Sequence, residues 1–234
     1  MRWRTLFTLV AVAALSVAHA GALRAQDARP GLGVLPFYNG GSYGQNAEDY
    51  QALEVGIQQM LITELAQNAR LRVVERSRLK ELLQEQDLGA SGRVDHETAA
   101  RLGRVVGAKY MIKGGFTDVY GNMRLDIQVV NSETSEIMHA EKVTFKSNEL
   151  LEGVVRASGE LMKNLKLPAL SQASRDQRET RAKEIPAEAV RYYTRGLLYA
   201  DRGDTARAKE LFSKAKEAFP AYTEVDVALQ QLGG

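Results

Sequence analysis

The sequence predicts an α/β domain, a mixed β-sheet flanked by helices, followed by a small all-α unit. Three stretches carry that reading. Residues 71–116 place a Val-rich run, two helical patterns and a second apolar run between glycines that fall at the joints, as expected for strand, helix, helix, strand. Residues 123–129 alternate Met123, Leu125, Ile127 and Val129 with Arg124, Asp126 and Gln128, the pattern of a strand with one buried face. Residues 186–220 set small and aromatic residues at the spacing of two antiparallel helices.

A chain of 234 residues has room for one full domain and a smaller unit. Charged residues make up 26% of it, an ordinary soluble proportion that excludes wholesale disorder. Residues 1–20 join Arg2 and Arg4 to an apolar run from Leu6 to Val17 and an Ala18-His19-Ala20 end, the three parts of a secretory signal peptide. Cleavage after Ala20 is expected, with Ala25 as the alternative. Loss of Arg2 and Arg4 takes the formal charge from +2 to zero, so the nominally basic pI gives no reason to expect nucleic acid. There is no cysteine. An exported chain without cysteine relies on its core rather than on disulfides, and it has no thiol for a lipid anchor, so none is expected.

The domain is expected over 31–167. Gly31 to Phe37 reads as a short strand ended at Pro36, which cannot donate to a ladder. Residues 38–44 follow as a glycine-rich mobile loop carrying Tyr38 and Tyr43. It lacks the lysine and the spacing of a phosphate-binding loop. Over 48–67, Leu53, Ile57, Met60, Leu61 and Leu65 line one helical face, with Gln58, Gln59 and Glu64 placed elsewhere. A buried strand is predicted over 71–75. Ser77 then suits an N-cap for a helix bearing Leu79, Leu82 and Leu83, with Gly89 and Gly92 closing it. Asp95 caps the next helix, whose Ala99 and Gly103 permit close approach to the sheet, and Gly107 releases the chain into the strand near Ala108.

The runs VVERSRLKELLQEQDLGASG and AARLGRVVGAKYMIKGGF resemble the signature of the CsgG family, whose namesake is the curli secretion channel of bacterial outer membranes. The matching positions are Val73 to Arg76, Leu79 to Gln86, Leu102-Gly103, Gly107-Ala108 and Tyr110 to Gly114, within a likeness that extends from about Leu32 to Leu167. The resemblance implies a fold like that of CsgG and the TolB amino-terminal domain. It also implies work in envelope assembly or transport, and oligomerisation, with a ring among the forms.

Gly121-Asn122 is the expected tight turn of the hairpin, and a second turn over 131–135 leads to a strand through Ile137, Val143 and Phe145. A helix capped by Ser147 follows, with Leu150, Leu151, Val154, Leu161, Met162 and Leu165 toward the sheet. The family's channel member builds its pore from additional hairpins around this sheet. Between 116 and 145 this chain has only a pair of tight turns, so no barrel from this chain alone is expected.

Residues 168–185 are polar and charged and read as a partly helical linker. Residues 186–234 fit one tetratricopeptide-like unit with a partial capping helix. In a repeat of about 34 residues, Tyr192, Gly196, Tyr199, Ala208, Phe212, Ala215 and Pro220 fall near the small, aromatic and terminal positions of the pattern, with Gly203 at the turn. A single unit is below the roughly three needed to stand alone, so it is expected to pack on the first domain, on a second copy or on a partner.

Catalysis is not expected. After the signal segment only His96 and His139 remain, Ser91 does not sit in a nucleophile elbow, and Glu81 and Glu85 read as a solvated helix face. No cofactor or metal is implied. The candidate partner-binding residues are Tyr38, Tyr43 and Arg76, the last also read as a structural clamp at a strand–helix junction. The leading expectation is a non-catalytic periplasmic platform, peripheral to the outer membrane, whose partners are further copies of itself and envelope or outer-membrane proteins. An outer-membrane secretion channel subunit and a regulatory binding module for cell-wall enzymes are the alternatives.

Overall fold

The computed structural model describes residues 27–86, 93–167 and 169–233. The expected signal segment, Ser91, the Gly89 and Gly92 turn and Pro168 lie outside them. The chain enters the sheet at β1 (Gly31–Val34) and touches it again at β2 (Tyr38–Asn39). α1 (Ala47–Ala66), β3 (Arg72–Val73), α2 (Arg76–Glu85) and α3 (His96–Val106) follow. A meander of β4 (Tyr110–Val119), β5 (Asn122–Asn131) and β6 (Ile137–Lys146) leads to α4 (Leu150–Asn164). The last part is helical: α5 (Gln172–Glu184), α6 (Ala187–Asp201), α7 (Thr205–Ala218) and α8 (Thr223–Gln231).

The sheet is mixed, in the order β3-β1-β4-β5-β6, with β2 beside β4 beyond the end of β1. β1 runs parallel to β3 and β4, whereas β4, β5 and β6 are antiparallel. Sequence periodicity explains which faces are covered. Met123, Leu125, Ile127 and Val129 of β5 point into a core closed by α1 and α4. On the opposite face α2 and α3 enclose Leu79, Leu83, Leu102, Met111 and Val130. That second layer shields β3, β1 and β4 but leaves the polar side of β5 open, with Arg124 exposed, as an antiparallel sheet allows.

Local chemistry sets the joints. Asp95 accepts from the Thr98 amide at 2.6 Å and caps α3, and Gly107 ends that helix in the left-handed region at φ 66°. At Gly103 a side chain would strike Ser132 and Met111, so only glycine lets α3 lie this close to the sheet. Three expected joints differ. α2 begins at Arg76 behind Glu75, without a side-chain cap, so Ser77 lies inside the first turn. Ser147 likewise caps nothing: it opens a short 3-10 turn before α4, and its hydroxyl finds no partner among the described residues. The hairpin turn falls one residue earlier than expected, on Tyr120 and Gly121, both at positive φ.

α1 differs most from its amphipathic reading. Gln58 is 2% exposed and donates to the Val34 carbonyl at 2.7 Å. Glu64 is buried with Arg178 of α5, whose guanidinium also reaches the Glu64 carbonyl at 3.1 Å. Gln58 thus turns to the end of β1 and Glu64 to α5, while α6 crosses another side of α1 so closely that a side chain at Gly56 would strike Thr194. α1 is therefore covered on two sides. Apolar residues of the sheet, α1, α4 and the C-terminal helices form one continuous core.

Candidate partner-binding surface

The loop between β2 and α1 meets the turn between β4 and β5 at one end of the sheet, and their contacts form a hydrogen-bonded tip. Asn39 Oδ1 accepts from the amides of Gly41 and Ser42, both at 3.0 Å, and from the Ser42 hydroxyl at 2.7 Å, an Asx-type turn that folds the loop on itself. Ser42 Oγ in turn accepts from the Asp118 amide at 2.9 Å. The Tyr43 amide donates to the Asp118 carbonyl at 2.7 Å, and the Tyr120 amide donates to the Tyr43 carbonyl at 3.1 Å. The loop is thus stitched to the hairpin like an extra strand.

Asp118 is the post inside this tip. It is 0% exposed, accepts from Gln45 Nε2 at 2.5 Å through one carboxylate oxygen, and accepts from the Gly121 amide at 2.9 Å through the other. A buried carboxylate is tolerable because both oxygens are used. Behind it the Gln45 amide donates to the Tyr50 hydroxyl at 3.1 Å, and the Tyr50 ring packs on Phe116. Burial raises the Tyr50 hydroxyl above its ordinary pKa, which keeps it a neutral member of this network.

Two rings project from the tip. Tyr43 is 65% exposed and Tyr120 80% exposed, with Val119 between them also open to solvent. Tyr120 holds φ 49°, a conformation costly for a residue other than glycine, at roughly 1–2 kcal/mol. Gly44 at φ 102° leaves room beside the Tyr120 ring. Exposed aromatics on a preorganised backbone are the side chains that bury well against a partner at little entropic cost.

The sequence-predicted residues do not converge. Tyr43 is at the tip, but Tyr38 is half-buried on β2, its ring flat on Gly115 with the Arg93 guanidinium 5.1 Å above. Arg76 lies at the far junction of α2 with α6, donating to Asp201 at 2.5 Å and to Gln59 at 3.2 Å. Tyr120, which the sequence reading missed, is the most exposed large apolar side chain among the described residues. The available signal was the Tyr120-Gly121 pair itself, since a residue before glycine at a two-residue hairpin sits at the turn.

In the C-terminal helices, Gly196 lies under the Phe212 ring, Ala208 and Ala215 are buried between α6 and α7, and Gly203 turns the chain at φ 77°. The Tyr193 ring stacks toward Phe212 and Tyr222 at 6.0 and 5.2 Å. Tyr199 donates to Glu48 while Arg207 covers its ring at 4.4 Å. That hydroxyl, with Arg195 beside it, holds the Glu48 carboxyl below its usual range. Tyr192 is half-buried and Pro220 is exposed. The two histidines are apart: His96 is exposed, and His139 lies 3.1 Å from Glu141 on the sheet surface. Among the described residues no three His, Asp or Glu side chains are placed to hold a metal, and no helix is long and apolar enough to cross a membrane.

Residues 18–124 match the family model described as curli production assembly/transport component CsgG, and this supports a CsgG-like domain in the first part of the chain. No curated protein matches the chain. Among solved structures the chain is similar to the C-terminal domain of LpoB from Salmonella enterica, at 22% identity and TM-score 0.41 over 50% of this chain and 83% of that one. TolB from Acinetobacter baumannii is 12% identical, with TM-score 0.40 over 58% of this chain and 28% of that chain. The PelC dodecamer from Paraburkholderia phytofirmans is 9% identical, with TM-score 0.35 over 61% and 90%.

Proposed function

We propose that this chain is a non-catalytic, exported platform of the CsgG type that acts in assembly or transport at the cell envelope and holds a protein partner through the tip formed by Tyr43 and Tyr120. The observation that carries the reading is the pairing of two projecting aromatic rings with a buried, fully hydrogen-bonded Asp118 beneath them. A loop with no task has little reason to fix exposed rings on so firm a base. The assembly and transport context comes from the family model matched over 18–124, and periplasmic placement comes from the three-part signal pattern in residues 1–20.

The α6–α7 pair is read as a tetratricopeptide-like unit, supported by Gly196 against Phe212 and by the turn at Gly203. It packs on α1 and buttresses the domain. A second reading, self-association, is favoured by β6: it borders only β5, and its outer edge begins at the exposed Ile137 and Met138. An open edge of this kind is a template for strand pairing between copies.

Photo-crosslinking from position 43 in intact envelopes tests the main reading. A heterologous envelope protein captured from position 43, and not from exposed Lys209 on α7, is the expected result. Capture of secretion components supports transport, and capture of cell-wall enzymes moves the assignment to the regulatory alternative. Adducts only between copies would transfer the tip to the self-association reading.

A further inference from the structure

A groove opens where α1, α2 and α6 meet. Pro36, Val55, Leu83 and Leu198 give it an apolar floor, and its volume is about 470 Å³, within the range of roughly 300 to 1,000 Å³ typical of small-molecule sites. Its charges are unbalanced. Arg76 and Lys80 both spend their charge on the single carboxylate of Asp201, at 2.5 and 3.1 Å. Arg202, on the same rim, donates at 2.7 Å to the neutral Gln51 amide. The other carboxylate of the lining, Glu54, is engaged by the Asn39 amide at 3.2 Å. Burial also raises its pKa and so favours its neutral form. Three cations therefore face two carboxylates, one of them shared and the other turned to the backbone.

We infer that this groove binds a free single-chain anionic amphiphile, with its tail on Val55, Leu83 and Leu198 and its head group at Lys80 and Arg202. The surplus positive charge at the rim selects an anionic head, and the apolar floor selects a tail. The walls exclude an extended peptide. They are helices whose backbone groups are already bonded within α1, α2 and α6, so a peptide laid in the groove would bury amides with no ladder to join. An alkyl chain makes no such demand.

Titration calorimetry of the full chain with decanoate below its micelle concentration tests this, with decyltrimethylammonium as the cation of the same tail and acetate as the head without a tail. One decanoate site is expected, with no heat from the other two. Lys80→Gln is expected to weaken decanoate about tenfold through loss of one charge-assisted contact. Val55→Trp fills the floor and is expected to abolish binding. Should Val55→Trp unfold, Gln84→Trp closes the groove from an exposed rim position. Equal binding of the cationic amphiphile, decanoate binding that survives a folded filling variant, or no decanoate heat in the wild type would each overturn the proposal. An apolar peptide that binds where decanoate does not would give the groove to a protein segment instead.

Discussion

Arg76 at the start of α2 and Asp201 at the end of α6 stand 125 positions apart in the chain and meet at 2.5 Å. Lys80, one turn further along α2, completes the junction by donating to both the carboxylate and the backbone carbonyl of Asp201 at 3.1 Å. Both cations meet the C-terminus of α6, where the exposed carbonyls and the helix dipole favour positive charge. The layer holding α2 is thereby tied to the C-terminal helices at a second point besides Arg178 and Glu64.

Arg76→Ala is expected to lower stability by about 1–2 kcal/mol, less than a full charge-assisted bond because Lys80 retains Asp201. Asp201→Ala costs more, since it leaves two cations at the junction without their carboxylate. Thermal unfolding checks both, at roughly 2–4 °C per kcal/mol for a chain of this size. Unchanged melting of Arg76→Ala together with lost partner capture would turn the clamp into a contact residue.

Tyr43→Ala combined with Tyr120→Gly is expected to abolish crosslinked partner without lowering the melting temperature. Tyr120→Gly removes a side chain from a position at positive φ, so by itself it is neutral or stabilising by several tenths of a kcal/mol. A large loss of stability would show that the rings support the fold rather than a partner.

Gly196→Val is expected to destabilise by about 1–3 kcal/mol, because the new atoms must displace the Phe212 ring from between α6 and α7. Chemical denaturation with tyrosine fluorescence is a direct measure, since Tyr193 lies 6.0 Å from that ring. A variant as stable as the wild type would mean the two helices can separate without cost.

Glu54 gives a pH prediction with a definite sign. Burial raises its carboxyl pKa in the folded state, so in the window between its ordinary and raised values the folded chain holds more proton than the unfolded chain. Stability contributed by Glu54 therefore falls as pH rises through that window and stays lower at neutral pH. Glu54→Gln keeps an oxygen for the Asn39 amide but cannot titrate. It is expected to be more stable than wild type near pH 7 by urea unfolding, with the gain disappearing under more acidic conditions. A gain independent of pH would assign the effect to packing.

The legible parts of the fold are those that depend on one neighbour. The alternation of β5 needs only a single buried face, and Asp95 and Gly107 act within their own helix. Gln58 and Glu64 were read as outward because a helix pattern shows one core-facing side. Their burial depends on α5 and the end of β1, contacts made with distant segments that local periodicity does not encode. The tip was half legible for the same reason. Tyr43 stands out in a polar loop, whereas Tyr120 gains its meaning only when Asp118 brings the two loops together. Ser77 and Ser147 satisfied the composition of a cap, but each sits one or more residues from where the helical dihedrals begin.

The burial of α1 on two sides imposes an order on maturation. A chain made from its amino end releases α1 and the whole sheet before residues 187–218 have appeared. During that interval the flank bearing Gly56 and Met60 has no cover, and it gains one only when the closing helices arrive. The nascent chain consequently carries an apolar stripe from the emergence of α1 until α6 follows it. A chain cut before Ala187 is expected to aggregate rather than give a shortened, working domain, and light scattering of the truncated protein checks this.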